Sequence, residues 1–157
     1  MTITLDDMPN LLHLPIVGQF YTHHMLHGVG ATNALVELFG VTHENASNEI
    51  DFCRGAHVRL SWLREVYENA CTNRQWTIVA RAYLLHLVRG TIYVDKSATL
   101  VNVSYLGLFV DLRMTGGYSW AKVALTHLYE QLGDSSYAST RQLGGYATLL
   151  QVSLIIL

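Results

Sequence analysis

Charge is the scarcest property of this sequence. Only 14% of its 157 residues are charged, against roughly 25% in a free-standing soluble domain. Cysteine occurs twice, at Cys53 and Cys71, which is too few for a disulfide framework, so reduced thiols are expected. No apolar run approaches the roughly 20 residues of a membrane span, and a spanning helix is not expected. Asp6 and Asp7 stand near the N-terminus and no basic stretch does, which is not the pattern of a secretory leader. Lysine is almost missing: eight of the ten basic residues are arginines, and the net charge is −2. That balance argues against a protein that coats nucleic acid nonspecifically, which needs a basic domain or stripe. It leaves room for a local arginine patch making paired contacts.

What the chain has instead is apolar surface. Half of its residues are hydrophobic, and the mean hydropathy is +0.22. The length suits one domain with a real core, and we expect residues 1–157 to form a single unit. Lean charge with high hydropathy implies that part of the surface is covered by a partner or belongs to a larger assembly. The run Leu149-Leu150-Gln151-Val152-Ser153-Leu154-Ile155-Ile156-Leu157 has the look of a core helix cut short.

The patterning is mostly helical. Met1 to Leu5 alternates and is β-prone, and Thr4 with Asp7 forms a capping box for a short helix toward Leu12. His23 to Gly30 reads as a loop, Ala31 to Phe39 as a helix stopped by Gly40, and residues 41–56 as a polar surface loop or a weak helix. Ser61 is placed to cap a helix running to about Ala70, with Leu63, Val66, Tyr67 and Ala70 on one face. Trp76, Val79, Ala80, Tyr83, Leu84 and Leu87 recur at helical spacing and predict a buried face ending at Gly90. Thr91 to Val94 and Thr99 to Val103 are rich in β-branched residues around Asp95-Lys96-Ser97, which predicts a hairpin. Tyr105 to Arg113 reads as helical up to Gly116-Gly117. Ser119 caps a further helix, with Gly133 as its stop, and a last helix starts at Arg141 after a loop at 134–140. The expected fold is a single mostly α domain with one or two small β-ribbons.

Catalytic and metal motifs are thin. His23, His24 and His27 offer an i, i+4 pair, but no acidic or cysteine partner is near in a glycine-rich segment, so a polar loop is the better reading. Lys96 sits in a turn rather than in the desolvated, phosphate-binding setting that a Schiff-base lysine needs. Ser119 lacks the glycines of a nucleophile elbow, and Gly116-Gly117 and Gly144-Gly145 lack the ending of a phosphate loop. No catalytic residue, cofactor or metal site is expected. The arginines remain: Arg59, Arg64, Arg81 and Arg89 are the candidates for contact with a partner or with nucleic acid. Arg81 is the most pointed, lying within an apolar helix. Its structural reading is an ion pair with Asp111 or Glu65.

Several blocks recur in one order: Met1-Thr2-Ile3-Thr4-Leu5-Asp6-Asp7 with Leu14-Pro15-Ile16 and Gly18; Val58-Arg59-Leu60-Ser61-Trp62-Leu63-Arg64-Glu65; Ala80-Arg81-Ala82-Tyr83-Leu84-Leu85; Gly90-Thr91 with Asp95-Lys96-Ser97; Tyr118-Ser119-Trp120; and Gly144-Gly145 before Leu149-Leu150-Gln151. On these the chain resembles the plant mobile domain family over nearly its whole length. The resemblance implies a noncatalytic nuclear interaction module linked to transposon silencing, gene expression and genome integrity in dividing cells. Its implied partners are other plant mobile domain proteins or nuclear proteins. The alternative it leaves is a transposon-derived nucleic-acid-binding module. Some family members carry a fused phosphatase domain, which these residues do not contain, and the label "aminotransferase-like" finds no support in them. The chain departs from the pattern at Pro9, where a helix former is usual, and at His13, where glycine is usual. It also lacks the upstream segment and the tryptophan-rich stretch after Gln151, and so resembles a family core without its ends.

Overall fold

The computed structural model describes residues 3–21, 24–94 and 97–135. Among them the chain is mostly α, with one two-stranded antiparallel sheet. The helices are α1 (Asp7–Leu12), α2 (Gly28–Phe39), α3 (His43–Cys53), α4 (Leu60–Thr72), α5 (Trp76–Thr91) and α6 (Trp120–Ser135). The strands are β1 (His57–Arg59) and β2 (Leu100–Asn102), and 3-10 segments cover Val103–Phe109 and Thr115–Gly117. None of the described helices is long and apolar enough to cross a membrane. The described residues gather into two compact units, one holding 3–21, 88–94 and 116–135, the other 24–87 and 97–115.

The first unit packs α1 against α6. Thr4 and Asp7 do interact as their spacing predicts: the Asp7 carboxylate accepts from the Thr4 amide at 2.7 Å and from its hydroxyl at 2.9 Å. The helix itself begins at Asp7, so the pair closes a turn ahead of it. Ile3 to Leu5 is not strand. Pro9 falls in the first turn of α1, where amides have no intrahelical acceptor, and so costs no hydrogen bond. His13 closes α1 in the left-handed region at φ 54°. A glycine adopts that backbone without steric cost. We therefore expect His13→Gly to stabilise the chain by about 0.5–1 kcal/mol, read as a raised urea midpoint; an unchanged or lowered midpoint would contradict this.

In the same unit the segment after Pro15 is stitched to the start of α6. The Gln19 amide donates to the Gly117 carbonyl at 2.8 Å, the Ser119 amide to Gln19 at 2.9 Å, and the Ala121 amide to Pro15 at 3.1 Å. Ser119 precedes α6 as expected and its carbonyl accepts from Val123. Its hydroxyl, however, donates to the Ile16 carbonyl, so it serves the stitch rather than the helix end. Gly18 sits at φ 144°, and a Cβ there would stand 2.5 Å from the Gly117 oxygen and 2.7 Å from the Tyr118 carbonyl carbon. Both obstacles are backbone. Gly18→Ala should cost about 2 kcal/mol, measured by urea unfolding; a wild-type midpoint would show the close approach to be dispensable. Gly133 is not the stop for α6, which continues to Ser135. The expected loop at 134–140 is thus helical at its first two residues.

The second unit is built on α2, α3 and the sheet. Gly40 ends α2 at φ 65° as expected, while the helix begins earlier than expected, at Gly28. Residues 43–53 form a full helix, α3, because Thr42 caps it by accepting from the Asn45 amide. The expected hairpin across residues 91–103 does not form. Thr91 ends α5, and β2 pairs instead with distant β1, placing His57 opposite Asn102, Val58 opposite Val101 and Arg59 opposite Leu100. Two buried partners, Val58 and Val101, make the long-range pairing the better one. Asn102 then caps the following 3-10 turn by accepting from the Ser104 amide at 2.9 Å. That segment, expected as a helix from Tyr105 to Arg113, is a 3-10 turn ending at Phe109. Ser61 lies inside the first turn of α4 and is not its cap; Arg59 is. Expectations at Met1, Thr2, His23, Asp95, Lys96 and from residue 136 onward, including the helix from Arg141, lie outside the described residues.

Candidate functional site

The face of α5 is the largest departure from the sequence pattern. The helix runs through Gly90, which does not stop it. Its buried residues are Ala82, Leu85 and Val88, whereas Trp76 is 65% exposed, Tyr83 56% and Leu87 43%. Three residues of the stripe expected to be core therefore face solvent, while Val79, Ala80 and Leu84 are half-buried. The segment is apolar nearly all round, so periodicity admits two faces, and the face carrying Ala82, Leu85 and Val88 is the buried one. Beside this stripe, Leu60, Ser61, Leu63, Arg64, Tyr67, Ala82, Tyr83 and His86 line a groove of about 610 Å³ between α4 and α5. Its floor is buried Leu63 and Ala82, its walls tyrosine rings. Ser61 and His86 share the groove, but no hydrogen bond joins them, so the contact that activates a serine nucleophile is not made.

Arg81 has no acidic partner among the described residues. Its Nε donates to the Phe109 carbonyl at 2.9 Å, Nη1 to Leu38 at 3.2 Å and Nη2 to Val110 at 2.8 Å. Leu38 is in the last turn of α2, where carbonyls lack intrahelical donors and attract a cation. The expected acid Asp111 is taken by Arg113 at 3.2 Å, and that pairing holds its carboxyl below the ordinary value. Arg81 thus fastens α5 to the ends of two other segments.

Arg59 does have an acid, Glu49, ten residues before it, a pairing that no local spacing signals. Glu49 of α3 is enclosed, its side chain 2% exposed against 42% for Arg59. Its carboxylate accepts from the Arg59 amide at 2.8 Å, from Nε at 3.0 Å and from Nη2 at 2.6 Å. Burial alone pushes the Glu49 carboxyl up, but the bonds from Arg59 and its charge outweigh this and hold it below its ordinary value. Cys53, whose thiol donates to the same carboxylate, is pushed up to about 11 by burial and then by the Glu49 charge. It is a poor nucleophile at neutral pH. The Arg59 guanidinium also lies 4.3 Å from the centre of the Phe52 ring. Around this pair Thr42, Glu44, Asn45, Asn48, Phe52 and Trp62 line a cleft of about 460 Å³. The signal that could have found it is Thr42 as a cap followed by Asn45, Asn48 and Phe52 at helical spacing.

The other candidates stay apart. Arg64 is mostly exposed and pairs with Glu68 at 2.8 Å, one turn along α4. Arg89 lies in the last turn of α5, in the first unit. His24 and His27 are exposed, and no metal-holding cluster occurs among the described residues.

Residues 1–154 match the family model for the plant mobile domain. Over 96% of its length the chain is 34% identical to Protein MAIN-LIKE 1 of Arabidopsis thaliana, covering 30% of that protein. It is 31% identical to Protein MAINTENANCE OF MERISTEMS of the same plant, over 96% of this chain and 31% of the relative. With the Arabidopsis protein named Serine/threonine-protein phosphatase 7 long form homolog it shares 29% identity, over 97% of this chain and 11% of the relative. The chain therefore spans less than a third of the length of these curated relatives. No solved structure matches it.

Proposed function

The chain belongs to the plant mobile domain family, and from that premise we propose that it is a noncatalytic module that docks onto other nuclear proteins, members of its own family first. The setting is the one implied for such proteins: nuclear assemblies linked to transposon silencing, gene expression and genome integrity. The observation that carries this reading is the apolar stripe of Trp76, Tyr83 and Leu87, exposed on α5 beside the tyrosine-walled groove. Large aromatic side chains on an otherwise polar surface are the anchors of protein interfaces. The polar groups offer less to a reaction. Arg59, Arg64 and Arg81 are each engaged within the fold, which also weakens the case for a phosphate-binding arginine stripe.

Binding of the 157-residue chain to the plant mobile domain of a relative such as Protein MAIN-LIKE 1 tests the reading. Binding that falls about tenfold or more in the Trp76→Ala, Tyr83→Ala, Leu87→Ala triple variant is expected. No binding to any family member, or equal binding by the variant, would sink it. Salt-dependent oligonucleotide binding that is lost on changing Arg64 and Arg89 to alanine would instead favour the nucleic-acid reading.

A further inference from the structure

The geometry points to the Arg59 cleft as a binding site for an extended, basic stretch of peptide, separate from the α5 stripe. Its walls are α3 and the start of α4. On α3, Glu44, Asn48 and Phe52 follow one another at i, i+4 and i+8, with Asn45 alongside, so one helical face supplies most of the lining. The opposite wall is Arg59 and Trp62.

Three features of this lining select the ligand. The first is fixed polarity. Asn45 Oδ1 accepts from the Trp62 indole at 2.8 Å, which orients the carboxamide and leaves its NH2 group for a ligand. Asn48 is exposed, and its side chain makes no hydrogen bond among the described residues. A carboxamide offers one acceptor and a donor pair, the complement of a peptide unit, so two of them a turn apart suit an extended main chain. The second is charge. Glu49 and Arg59 cancel within the cleft, and Glu44 remains, so the lining is net negative. A phosphodiester backbone is repelled by it, and a cationic side chain is attracted. The third is the exposed Phe52 ring, 67% accessible although a guanidinium already lies over it. A ring that accepts one cation can accept a second at its open side. An arginine or lysine of the ligand would thus sit between Phe52 and the Glu44 carboxylate, with its main chain along Asn45 and Asn48. The buried Glu49 carboxylate keeps Arg59 from swinging into the space, so the cleft is formed before any ligand arrives.

Fluorescence anisotropy with the full chain tests this. The probe is a fluorescein-labelled, end-capped alanine heptapeptide carrying one arginine and one lysine. The controls are the same peptide with glutamate and aspartate in their place, and a labelled single-stranded thymidine oligomer. The basic peptide should bind and the controls should not. Asn48→Ala and Glu44→Gln, both at exposed positions, should each weaken binding by about fivefold to tenfold while the chain stays folded, the thermal midpoint moving by no more than a few degrees. Asn48→Ala is the decisive variant because it alters no charge: general attraction of a basic peptide to a protein of net charge −2 would survive it. Undiminished binding by Asn48→Ala, equal binding of the acidic peptide, or preference for the oligomer would each overturn the assignment. The α5 triple variant should bind the peptide normally, so this site and the docking stripe stand or fall separately.

Discussion

Arg81→Ala is expected to destabilise the chain by about 3 kcal/mol, since hydrogen bonds to a charged group contribute about 1.5–3 kcal/mol each and are not additive. Three carbonyls lose their donor at once. The Phe109 carbonyl belongs to a fully buried residue, and Leu38 lies at the end of α2, where water must replace the guanidinium. Val110 is exposed, so its carbonyl rehydrates at little cost and keeps the total below a simple sum. The conservative variant separates charge from geometry. Lysine keeps the positive charge but carries it on one compact head group, which cannot reach three carbonyls set around a planar fork. Arg81→Lys should therefore lose most of what Arg81→Ala loses, measured from urea unfolding curves at neutral pH. If lysine restored wild-type stability, charge near the end of α2 would be the whole effect and the fork geometry irrelevant.

Breaking the Glu49–Arg59 pair is the second large effect. Glu49→Ala removes the acceptor of the Arg59 amide and side chain and leaves a hole beneath them; loss of one partner from an enclosed pair costs about 3–5 kcal/mol. The lower end is expected, since the half-exposed guanidinium can turn to water. Arg59→Ala is expected to be the more damaging change, because the enclosed carboxylate then keeps only the backbone amide of residue 59 and the Cys53 thiol as donors. The pH dependence follows from the direction of the shift. Glu49 has a folded value below its ordinary 4.5, so its contribution is fully present above about pH 5. It is lost as pH falls through the folded value. In Glu49→Gln this acid-side loss should be smaller than in the wild type, while stability near neutral pH is lower. Parallel acid-unfolding curves for the two proteins would show that the carboxylate is not held by Arg59.

The helix-forming segments were legible because the signals were local. Gly40 in the left-handed region, Thr4 beside Asp7 and the apolar spacing of α4 each act within one or two turns. The failures share a cause. Gly90 and Gly133 read as stops, yet a glycine inside a helix costs only about 1 kcal/mol, which tertiary packing overrides. The hairpin expected around Asp95 gave way because β2 found a better apolar partner in β1, more than 40 residues earlier in the chain. Residues 43–53 read as loop or weak helix since their apolar content is low; their stability comes from the Thr42 cap and from Glu49, whose value depends on Arg59 folding over it. The candidate site was half legible. Arg59 and Arg81 stood out as arginines among apolar neighbours, but neither partner could be named from spacing.

The amino-acid sequence alone determined the family, the mostly helical class and the scarcity of charge. These are properties of composition and local order, which neighbouring residues settle among themselves. The tertiary structure decided which face of α5 meets solvent, that Arg81 binds carbonyls rather than an acid, and that Glu49 closes one side of a cleft. Each is a choice between alternatives of similar local energy, and only the burial and hydrogen bonding of residues far apart in the chain distinguish them.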